Sequence, residues 1–116
     1  MGFFDGQLEK IKVRAKTEVE GLLLNNETIE HFYIVKEDYC AVTNKRLIFV
    51  DNSISSKKAT SGIPFNKINV VSLKRGGTLS ISKEVIVLVG SKEFEIDLYS
   101  AEDAIEIFKL ISERIV

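Results

Sequence analysis

From Leu8 onward, apolar residues recur every three or four positions: Leu8, Ile11, Ala15, Val19 and Leu22. That spacing lines them along one face and predicts an amphipathic helix over residues 7–24. Gly21 and the pair Asn25-Asn26 supply its stop. Past Asn26 the period changes to two. Ile29, His31, Tyr33 and Val35 share one face, opposite Thr28, Glu30, Phe32 and Ile34, which predicts a first strand. Lys36-Glu37-Asp38 is a short polar turn, and residues 39–43 a second strand. Asn44-Lys45 is a two-residue hairpin loop, with Asn suited to positive φ. Residues 46–51 form a third strand. Residues 57–63 form an edge strand ended by Pro64.

A turn at 65–67 leads to a fifth strand over 69–75, broken by Gly76-Gly77. Residues 79–89 are strand-like with a kink at Lys83-Glu84, and Gly90-Ser91 is a tight turn. The alternation of Phe94, Ile96 and Leu98 with Glu93, Glu95 and Asp97 predicts a half-buried last strand. Ser100 and Asp103 resemble a capping box that opens a closing helix. Its stripe reads Ala101, Ala104, Ile105, Phe108, Ile111 and Ile115, with Ile107 and Leu110 outside it. The order is helix, about seven antiparallel strands, helix. Such a chain is mainly β, a sheet folded into a closed or nearly closed barrel with the last helix over one end. It divides into an amphipathic helix over 1–26 and a barrel with its helix over 27–116, together one domain.

Size and composition agree with this. The chain has 116 residues and 45% hydrophobic composition, so about two-thirds of its surface can be buried. One cysteine, Cys40, excludes a disulfide within the chain and suits a reducing compartment. One histidine, His31, excludes a His-rich metal site. No cofactor is expected. Sixteen basic against seventeen acidic residues disfavour nucleic-acid binding. The longest apolar runs, such as 85–89, hold about five residues where a membrane span needs roughly 20. A cytoplasmic protein is the expectation.

Two motifs then resemble bacterial pleckstrin-homology-like domains of the YokE-like type. The run Ala41-Val42-Thr43-Asn44-Lys45-Arg46-Leu47-Ile48-Phe49 is similar to their third-strand hairpin. Ile63-Pro64-Phe65-Asn66-Lys67-Ile68 is similar to the corner after the fourth strand. The start Met1-Gly2-Phe3-Phe4-Asp5 and the helix behind it match as well. The resemblance implies a pleckstrin-homology-like barrel of about seven strands with a C-terminal capping helix. It also implies a bacterial cytoplasmic setting and symmetric homo-oligomers, without an established activity. The sequence departs from the phosphoinositide-binding pattern at Lys36-Glu37-Asp38, whose two acids and one base offer no multivalent grip on phosphates.

Candidate chemistry is sparse. His31 reads as a structural histidine and Cys40 as a small core residue. The acids of residues 93–97 read as the wet face of a strand. Gly76-Gly77 lacks the frame of a phosphate loop. No nucleophile–base pair can be named, so the reading is non-enzymatic. Lys45, Arg46, Lys74 and Arg75 lie near strand ends and are candidates for an anion or an acidic protein partner. Leu8, Ile11 and Val19 on the first helix, with Ile107 and Leu110 on the last, are candidates for self-association as a dimer or ring. One alternative is a membrane surface met by Phe3, Phe4, Lys10, Lys12, Arg14 and Lys16. Another is a small ligand in the barrel mouth.

Overall fold

The computed structural model describes residues 3–35, 38–52, 59–75 and 81–115, with side chains for all of these except 3–8, 75, 81 and 82. The chain opens with helix α1 (Phe3–Glu20). Strands β1 (Ile29–Val35), β2 (Asp38–Thr43), β3 (Arg46–Asp51) and β4 (Ala59–Pro64) follow. A 3-10 turn (Phe65–Lys67) leads to strands β5 (Val70–Arg75), β6 (Ile81–Val89) and β7 (Lys92–Asp97), and helix α2 (Ala101–Arg114) closes the chain. The predicted elements are all present. The first helix starts earlier than its apolar stripe and ends one residue before Gly21.

The strands form two antiparallel sheets, ordered β1-β2-β3-β4 and β5-β6-β7. No ladder joins the sheets among the described residues, so the closed barrel is corrected to two sheets packed face to face. Between them, and under α2, lies the main core. It includes Tyr33, Val35, Cys40, Val42, Leu47 and Phe49 from the first sheet, and Val85, Val87, Phe94 and Ile96 from the second. Phe49 and Phe94 meet edge to face across the gap, with centroids 6.0 Å apart. This alternation of inward residues is the period-2 pattern of the sequence made physical.

Helix α2 buries Ala104, Ile107 and Ile111 completely. Ile107 therefore lies inside the apolar arc, not outside it. At about 100° per residue, 104, 107, 108, 111 and 115 fall within one arc of roughly 120°, while Leu110 lies about 60° beyond its edge. Ile105, which the sequence pattern places in the stripe, is only partly buried. Ser100 Oγ accepts the Asp103 N–H at 3.1 Å, as a cap should. The Asp103 carboxylate makes no return bond among the described residues and lines a cleft instead.

A second, smaller cluster covers the outer face of the first sheet. There Ala15 and Val19 of α1 pack on Phe32, Ile34, Ala41, Ile48 and Val50. Ile29 joins this outer cluster rather than the inner face. The cause is a register shift in β1: Ile29 pairs with Thr43 but His31 with Val42, leaving Glu30 as an extra residue. Such a bulge turns the chain over by one face.

Candidate functional site

Four cations were expected to present themselves near strand ends, and the structure separates them. Arg46 is committed to the fold. Its Nε and Nη2 donate to the two carboxylate oxygens of Glu27, at 3.0 and 3.1 Å, and Nη2 also donates to the Leu22 carbonyl at 3.1 Å. Arg46 is thus corrected from a partner-binding residue to a structural one. Lys45 stands exposed in the β2–β3 turn. Lys74 ion-pairs with Glu84 at 3.0 Å, at the far end of β5 on the other sheet. The Arg75 side chain lies outside the described residues, as do Lys36, Glu37, Lys57, Lys58, Gly76 and Gly77.

Glu27, which the sequence reading passed over, is the centre of this corner. Its side chain is fully shielded from solvent. Burial on its own would raise its pKa. Hydrogen bonds from Arg46, from the Leu24 N–H and from the Thr43 hydroxyl, with the Arg46 charge, hold it down to about 2. Thr43 Oγ1 donates to Glu27 at 2.6 Å and accepts the N–H groups of Lys45 and Arg46 at 3.0 and 2.9 Å. That hydroxyl closes the turn. Asn44 accordingly needs no positive φ, and among the described non-glycine residues only Asn26 has one, at 63°. The Asn44 side chain instead accepts from the Thr28 N–H at 2.8 Å and donates to the Asn26 carbonyl at 3.0 Å. The Thr-Asn-Lys-Arg run is therefore a clasp between the first hairpins and the loop leaving α1.

The self-association candidates also divide. Val19 and Ile107 are 1% and 0% exposed and serve the two cores, which corrects both as surface contacts of the single chain. Leu110 is half-buried. The Leu8 side chain, like those of Phe3 and Phe4, lies outside the described residues. Ile11 is 46% exposed, and every residue from Glu9 to Arg14 is exposed. The front of α1 thus stands clear of the sheet that its rear half covers. Exposed Leu22 and Leu24 follow its end.

A cleft of about 350 Å³ opens between β1 and the start of α2. Residues 30–34 form one wall, Tyr99, Asp103 and Glu106 the other, and Lys12 enters from α1. Tyr33 donates its hydroxyl hydrogen to Glu106 Oε1, and His31 Nδ1 lies 3.8 Å from the same oxygen. The His31 and Tyr33 rings stack with centroids 6.4 Å apart. Burial pushes the Tyr33 hydroxyl well above the ordinary phenol range, and the neighbouring Glu106 carboxylate adds to this. At the other end of α2, Arg114 donates to the Thr43 carbonyl at 3.0 Å, pairs with Glu30 and covers the Phe65 ring. Glu30 is thereby neutralised, while Asp103 and Glu106 face no lysine or arginine bonded to them among the described residues, and His31 is the one ionisable base beside Glu106.

Cys40 is sealed in the main core, and burial pushes its thiol far above the ordinary range. No group of three or more His, Cys, Asp or Glu side chains among the described residues could hold a metal ion. No helix among them is long and apolar enough to cross a membrane.

Comparison with known proteins agrees with the architecture. Two uncharacterized proteins of Bacillus subtilis (strain 168) are similar in sequence. YozO is 28% identical over 99 residues, covering 84% of this chain and 87% of its own. YjqA is 29% identical over 99 residues, covering 80% and 79%. Among solved structures, the pleckstrin homology domain from Shewanella amazonensis SB2B superimposes with a TM-score of 0.69 at 23% identity, covering 99% of each chain. A DUF1696 family protein with a pleckstrin-homology domain from Shewanella loihica PV-4 gives 0.69 at 22% identity, covering 90% and 93%. The two-sheet arrangement with its closing helix is thus the pleckstrin-homology fold. The bacterial PH domain profile matches residues 2–115, and the chain belongs to that family.

Proposed function

We propose that this chain is a non-enzymatic binding and assembly module of the bacterial cytoplasm, forming a homo-oligomer through the exposed front of α1. The observation that carries the reading is Ile11. It continues the helical stripe whose next members, Ala15 and Val19, are each 1% exposed, yet it is itself 46% exposed. An apolar stripe half covered by its own sheet is a surface left for a second copy. Catalysis has little support: the Cys40 thiol is sealed in the core and unreactive there.

A membrane surface is the weaker alternative. Lys10, Lys12, Arg14 and Lys16 are all exposed on this helix. Ile11 and Val13, however, point about 160° apart, so residues 9–14 do not present the single broad apolar face that insertion needs.

Light scattering on a size-exclusion peak of the full chain tests the reading. The expected mass is a fixed multiple of 13.0 kDa that falls toward 13.0 kDa in Ile11→Asp. A monomer at every concentration overturns it. Salt-sensitive binding of that monomer to anionic vesicles would then favour the membrane alternative.

A further inference from the structure

The cleft beside β1 has one wall made of strand edge, and that decides what fits it. Among the described residues β1 is the outer strand of its sheet and pairs only with β2. In such a strand alternate backbone N–H and C=O groups point away from the partner. Residues 30–34 line the cleft consecutively. Past the bulge at Glu30, His31–Ile34 keep a regular register with β2 and span about 10 Å at roughly 3.3 Å per step. A ligand lying along this wall is offered a ladder of hydrogen bonds.

The opposite wall carries the charge. Asp103 and Glu106 stand three residues apart on α2, so they share a face one turn apart. Glu106 is half exposed, its Oε1 takes the neutral Tyr33 hydroxyl, and its Oε2 has no hydrogen bond among the described residues. Tyr99 borders them and is 45% exposed. Carboxylates beside an aromatic ring suit a guanidinium or ammonium head. Lys12 also lines the cleft, from the α1 side.

We propose that this cleft binds an extended peptide bearing a lysine or arginine, added to the first sheet alongside β1, with its cationic head between Asp103 and Glu106. The backbone ladder supplies sequence-independent affinity, and the two carboxylates supply the preference for a basic side chain. The site meets the front of α1 only at Lys12; its two walls, β1 and α2, do not include Ile11, and the proposal does not depend on self-association there.

The test is a titration of the full-length chain with a capped pentapeptide, Thr-Val-Arg-Val-Thr, followed by amide chemical shifts. Saturable shifts confined to residues 30–34 and 99–106 are expected. Exchanging the arginine for glutamate should weaken binding about tenfold or more. The variant D103N/E106Q should lose that preference while keeping its near-ultraviolet circular dichroism; Gln at 106 still accepts from Tyr33. Methylating alternate peptide nitrogens should abolish binding by removing the ladder. No saturable shift at millimolar peptide overturns the proposal. So does equal binding of the glutamate peptide, or an unaltered preference in D103N/E106Q. Protection of the β1 amides without peptide, only in an oligomer, also overturns it, because a second copy would then fill the edge.

Discussion

Arg46 grips Glu27 in a parallel fork, Nε to Oε2 at 3.0 Å and Nη2 to Oε1 at 3.1 Å. The carboxylate is fully shielded, while the guanidinium keeps some contact with solvent. Removing one partner leaves the other desolvated and unpaired. Arg46→Ala should therefore cost about 3–5 kcal/mol in chemical denaturation. Arg46→Lys should recover only part of this, since an ammonium cannot make the fork. A loss below about 1 kcal/mol for Arg46→Ala would show the pair to be incidental.

The same pair sets an acid limit. Glu27 has a folded pKa of about 2 against an ordinary 4.5, so between those values the unfolded chain binds more protons. Its contribution is complete above about pH 4.5 and is lost as pH falls toward 2, to a total on the order of 3 kcal/mol. Urea midpoints measured from pH 6 to 2.5 should fall along this window. Glu27→Gln should flatten the descent while lowering the plateau.

Gly62 makes room for that guanidinium. A Cβ at this position would stand 2.5 Å from Arg46 Nη1. The terminal nitrogen can swing, but Nε and Nη2 are held by Glu27 and Leu22. Gly62→Ala should cost about 1 kcal/mol by thermal melting. The cost should shrink in an Arg46→Ala background, where the obstacle is gone.

Ile107 and Leu110 are three residues apart and should behave differently. Ile107→Ala opens a cavity in the main core and should cost about 2–5 kcal/mol. Leu110→Ala should cost less than about 1 kcal/mol. Equal losses in denaturant titrations would contradict the burial difference.

On α1, Val19→Asp places a charge against Phe32 and Ile34 and should strip the helix from the sheet. Binding of a hydrophobic dye to the uncovered face would report it. Ile11→Asp, on the exposed half, should leave α1 docked, with none of the rise in dye binding seen in Val19→Asp.

Much of this architecture was legible because strand periodicity and turn residues act locally. The alternation at 93–98 and the Ser100 cap could be read directly. Helix α2 was read less well: with apolar residues at 104, 105, 107, 108, 110 and 111, the pattern alone does not say where the arc is centred, and the sheets beneath decide it. The bulge at Glu30 was hidden for a similar reason, since an inserted residue leaves the alternation of the sequence intact. Arg46 looked available because its partner is nineteen residues upstream, and a lone glutamate before a strand carries no sign of burial. The cleft was invisible because it joins β1 to α2, some seventy positions apart.

Placing α1 on the outside of a sheet whose other face holds the main core has a thermodynamic consequence. The helix is a separate cooperative layer. Among the described side chains its docking rests chiefly on Ala15 and Val19, and burying a valine contributes about 1.5–3 kcal/mol. It can therefore open well before the two sheets do, pivoting on the loop that Arg46 and Asn44 hold in place. Native-state hydrogen exchange should show α1 amides exchanging through this partial opening, while those of β2, β3 and β6 wait for global unfolding. If α1 exchanges first, the layer that opens most readily is also the outermost one, where a binding partner could hold it in a new position.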